Sequence, residues 1–253
     1  MIRVILLGAG RVAGHLLRSF TEAPDIQVVQ VYSRTPTDLE LKHPTPLFTN
    51  QLEELLDADI YVMAVSDDAI VPLSKALPFN NKLVVHTSGS ASITAIHPKN
   101  RGGVFYPLQT FSHEKGVDFQ QVPLCLEIAN TEDAASLLSL ATSLSSKIHW
   151  FHSEQRLALH VAAVFVCNFV NHLYVQGEDL CQQYQMPFEL LQPLILETAE
   201  KITNLSPLEA QTGPALRNDQ KTIQKHIKLL EGTPHNHLYQ LLTESIQNHV
   251  KKL

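Results

Sequence analysis

Directly after the apolar run Ile2–Leu7, and directly before a helical pattern, stands Gly8-Ala9-Gly10-Arg11-Val12-Ala13, a GxGxxA turn. In that setting each small residue has a task. The first glycine permits a tight turn, the second lets the backbone come close to a pyrophosphate, and Ala13 lets helix and strand pack closely. Free N–H groups at the start of the following helix, together with its dipole, attract an anion. The turn predicts a βαβ unit that binds a dinucleotide; a glycine turn with no ligand is the alternative.

Three more short apolar runs follow, Ile26–Tyr32, Ile60–Val65 and Leu83–His86, each continuous rather than alternating. Strands buried on both faces read that way, as in a parallel sheet covered by helices. Between them Val12, Leu16, Leu17 and Phe20 make one face of a first helix, and Leu52, Leu55 and Leu56 make a second behind Asn50 as its cap. Val122–Ala129, Glu132–Leu144 and Lys147–Phe151 predict a further strand, helix and strand that close the sheet. Strand signals stop after Phe151. Ser153 caps a long helix to about Tyr184, Pro187 sits in a helix's first turn, Pro193 marks a kink, and Ser206-Pro207-Leu208-Glu209 reads as a capping box. Asp219 caps the next helix, Gly232 ends it, and Thr233-Pro234 start the last. The expectation is a doubly wound α/β domain over residues 1–152 and an all-helical domain over 153–253.

The chain has 253 residues, a formal net charge of −6 and no Lys/Arg-rich run. Binding to nucleic acid needs clustered positive charge, so the expected partners are small molecules or protein instead. Cys125, Cys167 and Cys181 have no CxxC spacing, which predicts neither disulfides nor a thiolate zinc site, and a reducing, cytoplasmic setting. The N-terminal apolar run is too short for the core of an export signal. Leu157–Val170, interrupted by His160 and Asn168, falls short of the ~20 residues of a spanning helix and reads as a buried core helix, so no membrane is expected. His149 and His152, like His235 and His237, lack the i, i+4 spacing of a helical metal site, and no metal is expected.

Which dinucleotide the chain takes is decided at the end of the second strand, where NAD sites place an acid on the ribose 2′-hydroxyl. This strand ends Tyr32-Ser33-Arg34-Thr35. Arg34 offers a planar charged fork for a 2′-phosphate, with Ser33 and Thr35 as hydroxyl donors, and the expected cofactor is NADP(H). The alternative makes Arg34 a solvated loop residue and gives the acid's work to Asp38. Ala64-Val65-Ser66 ends the next strand at the crevice and leaves room for ribose and nicotinamide, with Asp67 or Asp68 beside the ligand or capping a helix. Thr87-Ser88-Gly89 lines the nicotinamide or an anionic substrate, or forms a plain turn. In the helical half His160 is the candidate acid/base, Asn168 an orienting group about 80° round the helix, and Arg217 a holder of an anionic group. A structural histidine and an Arg217–Asp219 pair are the competing readings.

Phe105-Tyr106-Pro107-Leu108-Gln109-Thr110-Phe111, the helix from His160 to Asn168, and Thr212-Gly213-Pro214 through Arg217-Asn218-Asp219 and Thr222 to His226 join the glycine turn in a pattern spread over nearly the whole chain. It resembles bacterial proteins that combine a Rossmann-like NADP-binding domain with a C-terminal helical domain of unknown function. Gln211 and Asn218 stand where that family usually has Leu and Gly. More distantly the chain is similar to pyrroline-5-carboxylate reductase, ketopantoate reductase and the β-hydroxyacid dehydrogenases. The resemblance implies a Rossmann-type, mostly parallel sheet, hydride transfer with a small polar C=O or C=N compound in a cleft between two domains, and a homodimer. The lysine of the β-hydroxyacid dehydrogenases has no counterpart, since no Lys lies between Glu154 and Met186. His160 is left as the proton donor. The rival reading is a non-catalytic NADP(H)-binding sensor or dimeric interaction protein.

Overall fold

In the computed structural model, which describes residues 1–42, 46–112 and 115–250, eight strands pair into one sheet. They are β1 (Ile2–Leu7), β2 (Ile26–Tyr32), β3 (Leu47–Thr49), β4 (Ile60–Met63), β5 (Leu83–His86), β6 (Arg101–Pro107), β7 (Leu124–Ile128) and β8 (Ile148–Trp150). Their order is β3-β2-β1-β4-β5-β6-β7-β8, and all neighbours run parallel except β6 and β7. The chain leaves β1 for β2 and β3, then returns to place β4 on the other side of β1. Strand order reverses there, and the crevice at the C-terminal ends of β1 and β4 is where sheets of this kind bind ligands.

Alternation along β1 explains how the sheet is covered. Val4 and Leu6 belong to one core with Leu16, Leu17 and Phe20 of α1 (Arg11–Glu22), while Ile5 and Leu7 belong to another with Ile70 of α3 (Asp67–Ala76). Successive strand side chains point to opposite faces, so a continuous apolar run demands cover on both. Each such fully buried Leu, Ile or Phe stabilises the fold by about 1.5–3 kcal/mol relative to exposure. One buried polar residue in β2 is fully used: the Gln30 amide donates to the Glu54 carbonyl at 3.1 Å and accepts from the Leu56 N–H at 2.8 Å.

That last bond also corrects an expectation. No helix forms behind Asn50, only a 3₁₀ turn at Leu52–Glu54, because Gln30 takes the Leu56 N–H that a helix would turn back onto Leu52. β6 lies outside the apolar runs read as strands, because its first three residues, Arg101-Gly102-Gly103, break such a run. Packing requires Gly103: a Cβ there would stand 2.9 Å from Val85 Cγ1 and 3.0 Å from Ile128 Cδ1.

α5 (Ser153–Ala163) begins where expected but with another cap. The His152 ring accepts from the Gln155 N–H at 3.4 Å while the Gln155 side chain accepts from the His152 N–H at 3.2 Å, a capping box. Ser153 serves Glu127 instead. The helix continues through a π-helical turn, Val164–Phe169, into α6 (Val170–Gln183). By internal contacts the chain divides inside that turn, into Met1–Asn168 and Phe169–Leu253, because α5 is tied to the sheet through Arg156 and His160.

The expectation of a buried core helix fails. Leu157, Val161 and Val166 are 45%, 48% and 69% exposed, and Ser153–Gln183 is long and apolar enough to cross a membrane by length and composition alone. An apolar sequence makes burial favourable, but one copy of this chain does not supply the cover.

In the second unit Pro187 precedes a 3₁₀ turn at Phe188–Leu191, and Pro193 stands in the first turn of α7 (Gln192–Lys201), where it opens a helix rather than kinking one. Asp219 caps α8 (Gln220–Leu229) by accepting from the Thr222 N–H at 3.1 Å, and α9 (His235–Val250) follows Gly232 and Pro234. Ser206 and Glu209 close the bonds of a capping box, yet turns follow, because Gly213 at φ +106° and Pro214 stop a helix from propagating. Asn218 has φ +53°, a left-handed backbone that glycine adopts freely and asparagine tolerates.

Candidate functional site

Gly8 leaves β1 with φ +119°, its N–H donating to the Tyr32 carbonyl at 2.8 Å, and a Cβ on it would stand 2.3 Å from the Ala64 carbonyl oxygen. Gly10 differs. It is the N-cap of α1 in extended conformation, supplies no side-chain acceptor, and a Cβ on it would meet nothing within 4 Å. No acidic residue occupies the first turn of α1. The first N–H groups of the helix are therefore left uncapped beside open space, the arrangement that takes a phosphate group.

A cavity of about 700 Å³ covers this turn. Gly8, Ala9, Gly10, Arg11 and Val12 line it, as do Ser33, Arg34, Thr35, Ala64, Val65, Ser66 and Thr87. A dinucleotide fits the residues present, since the missing Cβ of Gly10 leaves the room that a pyrophosphate needs. Ser33 Oγ donates to the Thr35 carbonyl at 2.7 Å and shapes the loop that carries the exposed Arg34, which makes no ion pair among the described residues. Asp38 opens α2 (Asp38–Lys42) and does not line the cavity. Neither Asp67 nor Asp68 is a cap: Ser66 holds that position, both aspartates lie in the first turn of α3, and Asp67 accepts from Ser90 Oγ.

Ser88 and Gly89 line no part of that cavity. Arg156, wholly buried, donates to their carbonyls at 2.9 and 3.0 Å and to Glu127 at 3.0 Å, while Glu127 also accepts from the backbone and hydroxyl of Ser153. His86 lies beneath the same loop, its Nδ1 accepting from the Ser88 N–H and its Nε2 donating to the Ser92 carbonyl. Burial, and then the charge of Arg156, push His86 down to about 4, so it is a neutral structural group.

A second cavity, about 610 Å³, shares Arg11 and Val12 with the first. Tyr106, Leu108, Gln109, Thr110 and Phe111 line it from the end of β6 onward, and Leu159, His160, Ala163, Val164, Val166, Cys167 and Asn168 from the helix. The Tyr106 hydroxyl lies 3.1 Å from His160 Nδ1. Burial pushes the Tyr106 phenol up to about 12 and the neighbouring Cys125 thiol up to about 11. Counting 100° per residue puts Asn168 about 80° from His160, but the wider π turn breaks that count, and both residues line the one cavity.

Arg217 is exposed in the second unit and forms no ion pair with Asp219. Among the described residues no group of three or more His, Cys, Asp or Glu could hold a metal. Sequence reasoning missed Tyr106, Arg156 and the double placement of Arg11. Only the Tyr106 motif carried a signal, and its spacing says nothing of a partner 54 residues away.

A doubly wound sheet whose glycine turn and uncapped helix face a cavity at the reversal of strand order defines a dinucleotide-binding protein of Rossmann type. Residues 122–246 match the family model of a domain of unknown function, DUF2520. Across 98% of both chains, at 39% identity and a TM-score of 0.89, the protein is similar to a "putative NADP oxidoreductase" of Bacteroides fragilis. It belongs to the family of Rossmann-like NADP-binding proteins that carry this C-terminal domain. The fold is shared with a Thermotoga maritima protein (19% identity over 98% of each chain, TM-score 0.75). It is shared too with an imine reductase of Myxococcus stipitatus in complex with NADP+ (15% identity over 99% of this chain and 93% of that one, TM-score 0.67). No curated protein matches the sequence.

Proposed function

We propose that the protein is an NADP(H)-dependent oxidoreductase that transfers hydride between the nicotinamide and a small compound with a C=O or C=N bond. The observation that carries this reading is the meeting of two cavities at Arg11 and Val12, one suited to a dinucleotide and the other holding a hydroxyl–imidazole pair. The name of the Bacteroides fragilis relative supports it. Gly8 to Val12 hold the pyrophosphate, Ser33, Arg34 and Thr35 the 2′-phosphate, and Ala64, Val65, Ser66 and Thr87 flank ribose and nicotinamide. The bound cofactor supplies the hydride. His160 exchanges a proton with the substrate heteroatom, and Asn168 orients the substrate. Leu108, Phe111, Leu159, Val164 and Val166 make most of the second cavity apolar, which suits a substrate polar only at its reacting end.

Fluorescence titration with NADPH and NADH tests the cofactor assignment. Wild-type protein should prefer NADPH, and Arg34→Ala should weaken NADPH about 10- to 100-fold, the worth of charged hydrogen bonds, while NADH binding stays nearly unchanged. Equal losses for both nucleotides overturn the role of Arg34. Binding of neither by the wild type overturns the oxidoreductase and favours an interaction protein.

The same reading makes the protein a homodimer. In the second unit Leu190, Leu194 and Leu196 are 61% to 70% exposed, and apolar surface of this kind marks an interaction site, most often between two copies of one chain. Sedimentation should show one species of about twice the 28.2 kDa chain mass; a single-chain mass overturns it.

A further inference from the structure

Among the described residues the Tyr106 hydroxyl has one hydrogen-bond partner, His160 Nδ1. A phenol held near 12 by its burial keeps its proton at neutral pH. A phenol O–H is a stronger acid than a neutral imidazole N–H, so the favoured bond has the hydroxyl donating to the Nδ1 lone pair. Tyr106 therefore donates, Nδ1 accepts, and the neutral imidazole carries its proton on Nε2. The ring is boxed in. A Cβ on Gly89 would stand 2.6 Å from His160 Nδ1 and 2.8 Å from its Cγ, and the Gly89 carbonyl is pinned by Arg156. With the Nδ1 edge against Tyr106 and Gly89, the Nε2 edge is left for the cavity that His160 lines.

We propose that Tyr106 is the proton source of this site and that His160 relays its proton to the substrate. The proposal rests on the oxidoreductase reading above. As hydride reaches the carbon of a C=O or C=N bond, the π electron pair moves onto oxygen or nitrogen, which takes the Nε2 proton. Nδ1 takes the Tyr106 hydroxyl proton in the same motion, so the imidazole stays neutral. A phenolate remains, within reach of the charge of buried Arg156, which favours it, and a proton from solvent restores the hydroxyl. An alkoxide is a stronger base than a phenolate, so the transfer runs toward product.

The test is long-range ¹H–¹⁵N correlation of histidine-labelled protein, with His160→Gln identifying the ring by its disappearance. In the wild type Nδ1 should be unprotonated and Nε2 protonated, and Tyr106→Phe, which keeps the aromatic ring, should move Nδ1 toward the position of an unbonded nitrogen. A proton on Nδ1 in the wild type, or unmoved resonances in Tyr106→Phe, overturns the relay. In turnover of a panel of ketones and imines, Tyr106→Phe should lower kcat about 100-fold or more with KM little changed; a loss confined to KM also overturns it. NADPH titration separates this from the wider reading, because Tyr106 does not line the nucleotide cavity. Wild type and Tyr106→Phe should bind NADPH alike. Failure of the wild type to bind it overturns the oxidoreductase reading, whatever the histidine ring shows.

Discussion

Alanine in place of Gly8 should destabilise the fold by about 2–5 kcal/mol, the sum of a backbone conformation unfavourable for an L residue and of overpacking. The cause is local and rigid. The new methyl would stand 2.3 Å from the Ala64 carbonyl oxygen and 2.9 Å from Val65 Cγ1, so the segments that leave β1 and β4 would have to part at the crevice. Alanine at Gly10 should behave in the opposite way. Its φ of −75° suits any residue and its Cβ would meet nothing, so the change at this N-cap should cost under about 1 kcal/mol. The methyl would nevertheless fill the space a pyrophosphate must enter, and NADPH affinity should fall about 100-fold or more. Urea unfolding and NADPH fluorescence read the two effects separately. A stable Gly8→Ala protein, or a Gly10→Ala protein that binds NADPH normally, would contradict this division of labour, in which one glycine serves the chain and the other the ligand.

The glycine turn and the strands β1, β2 and β5 are legible in the sequence because their signals are local: a continuous apolar run, a small-residue turn, a helix face. β6 is hidden for an equally physical reason. Gly102 and Gly103 carry no β signal, yet the space their side chains would fill belongs to Ile96, Val85 and Ile128, residues on other segments. The cap of α5 shows the same limit, since Ser153 was the better capping type but Glu127, brought in by β7, claims its hydroxyl and leaves the cap to His152. Of the site, the residues that line the nucleotide cavity stand at strand ends, which the apolar runs make legible, whereas Ser88 and Gly89, expected beside them, are turned to Arg156 instead. The pairing of His160 with Tyr106 depends on the register of α5 against β6, which no periodicity within either segment encodes.

Arg156 is the extreme case, because in the run Ser153-Glu154-Gln155-Arg156 it reads as a solvated helix residue, yet it is wholly buried. Replacing it with methionine should cost about 3–5 kcal/mol in urea unfolding, the range for removing one member of a buried ion pair. The guanidinium donates to two carbonyls, to Glu127 and to the Ser153 hydroxyl, so its loss takes a donor from four acceptors at once and leaves the Glu127 charge with Ser153 alone. Its Nε has no partner among the described residues, which places the expected cost toward the lower end of that range. Glu127→Gln in the same background removes the stranded charge. The double variant should therefore be more stable than the sum of the two single losses predicts, by about 1–3 kcal/mol. Function should follow structure here: a relaxed Ser88–Gly89 loop no longer fixes the His160 ring, so the Nδ1 resonance of Arg156→Met should broaden or shift even where the protein remains folded. If Arg156→Met loses less than about 1 kcal/mol, the buried guanidinium is not what holds the loop, and the rigidity around His160 must come from Tyr106 and Gly89 alone.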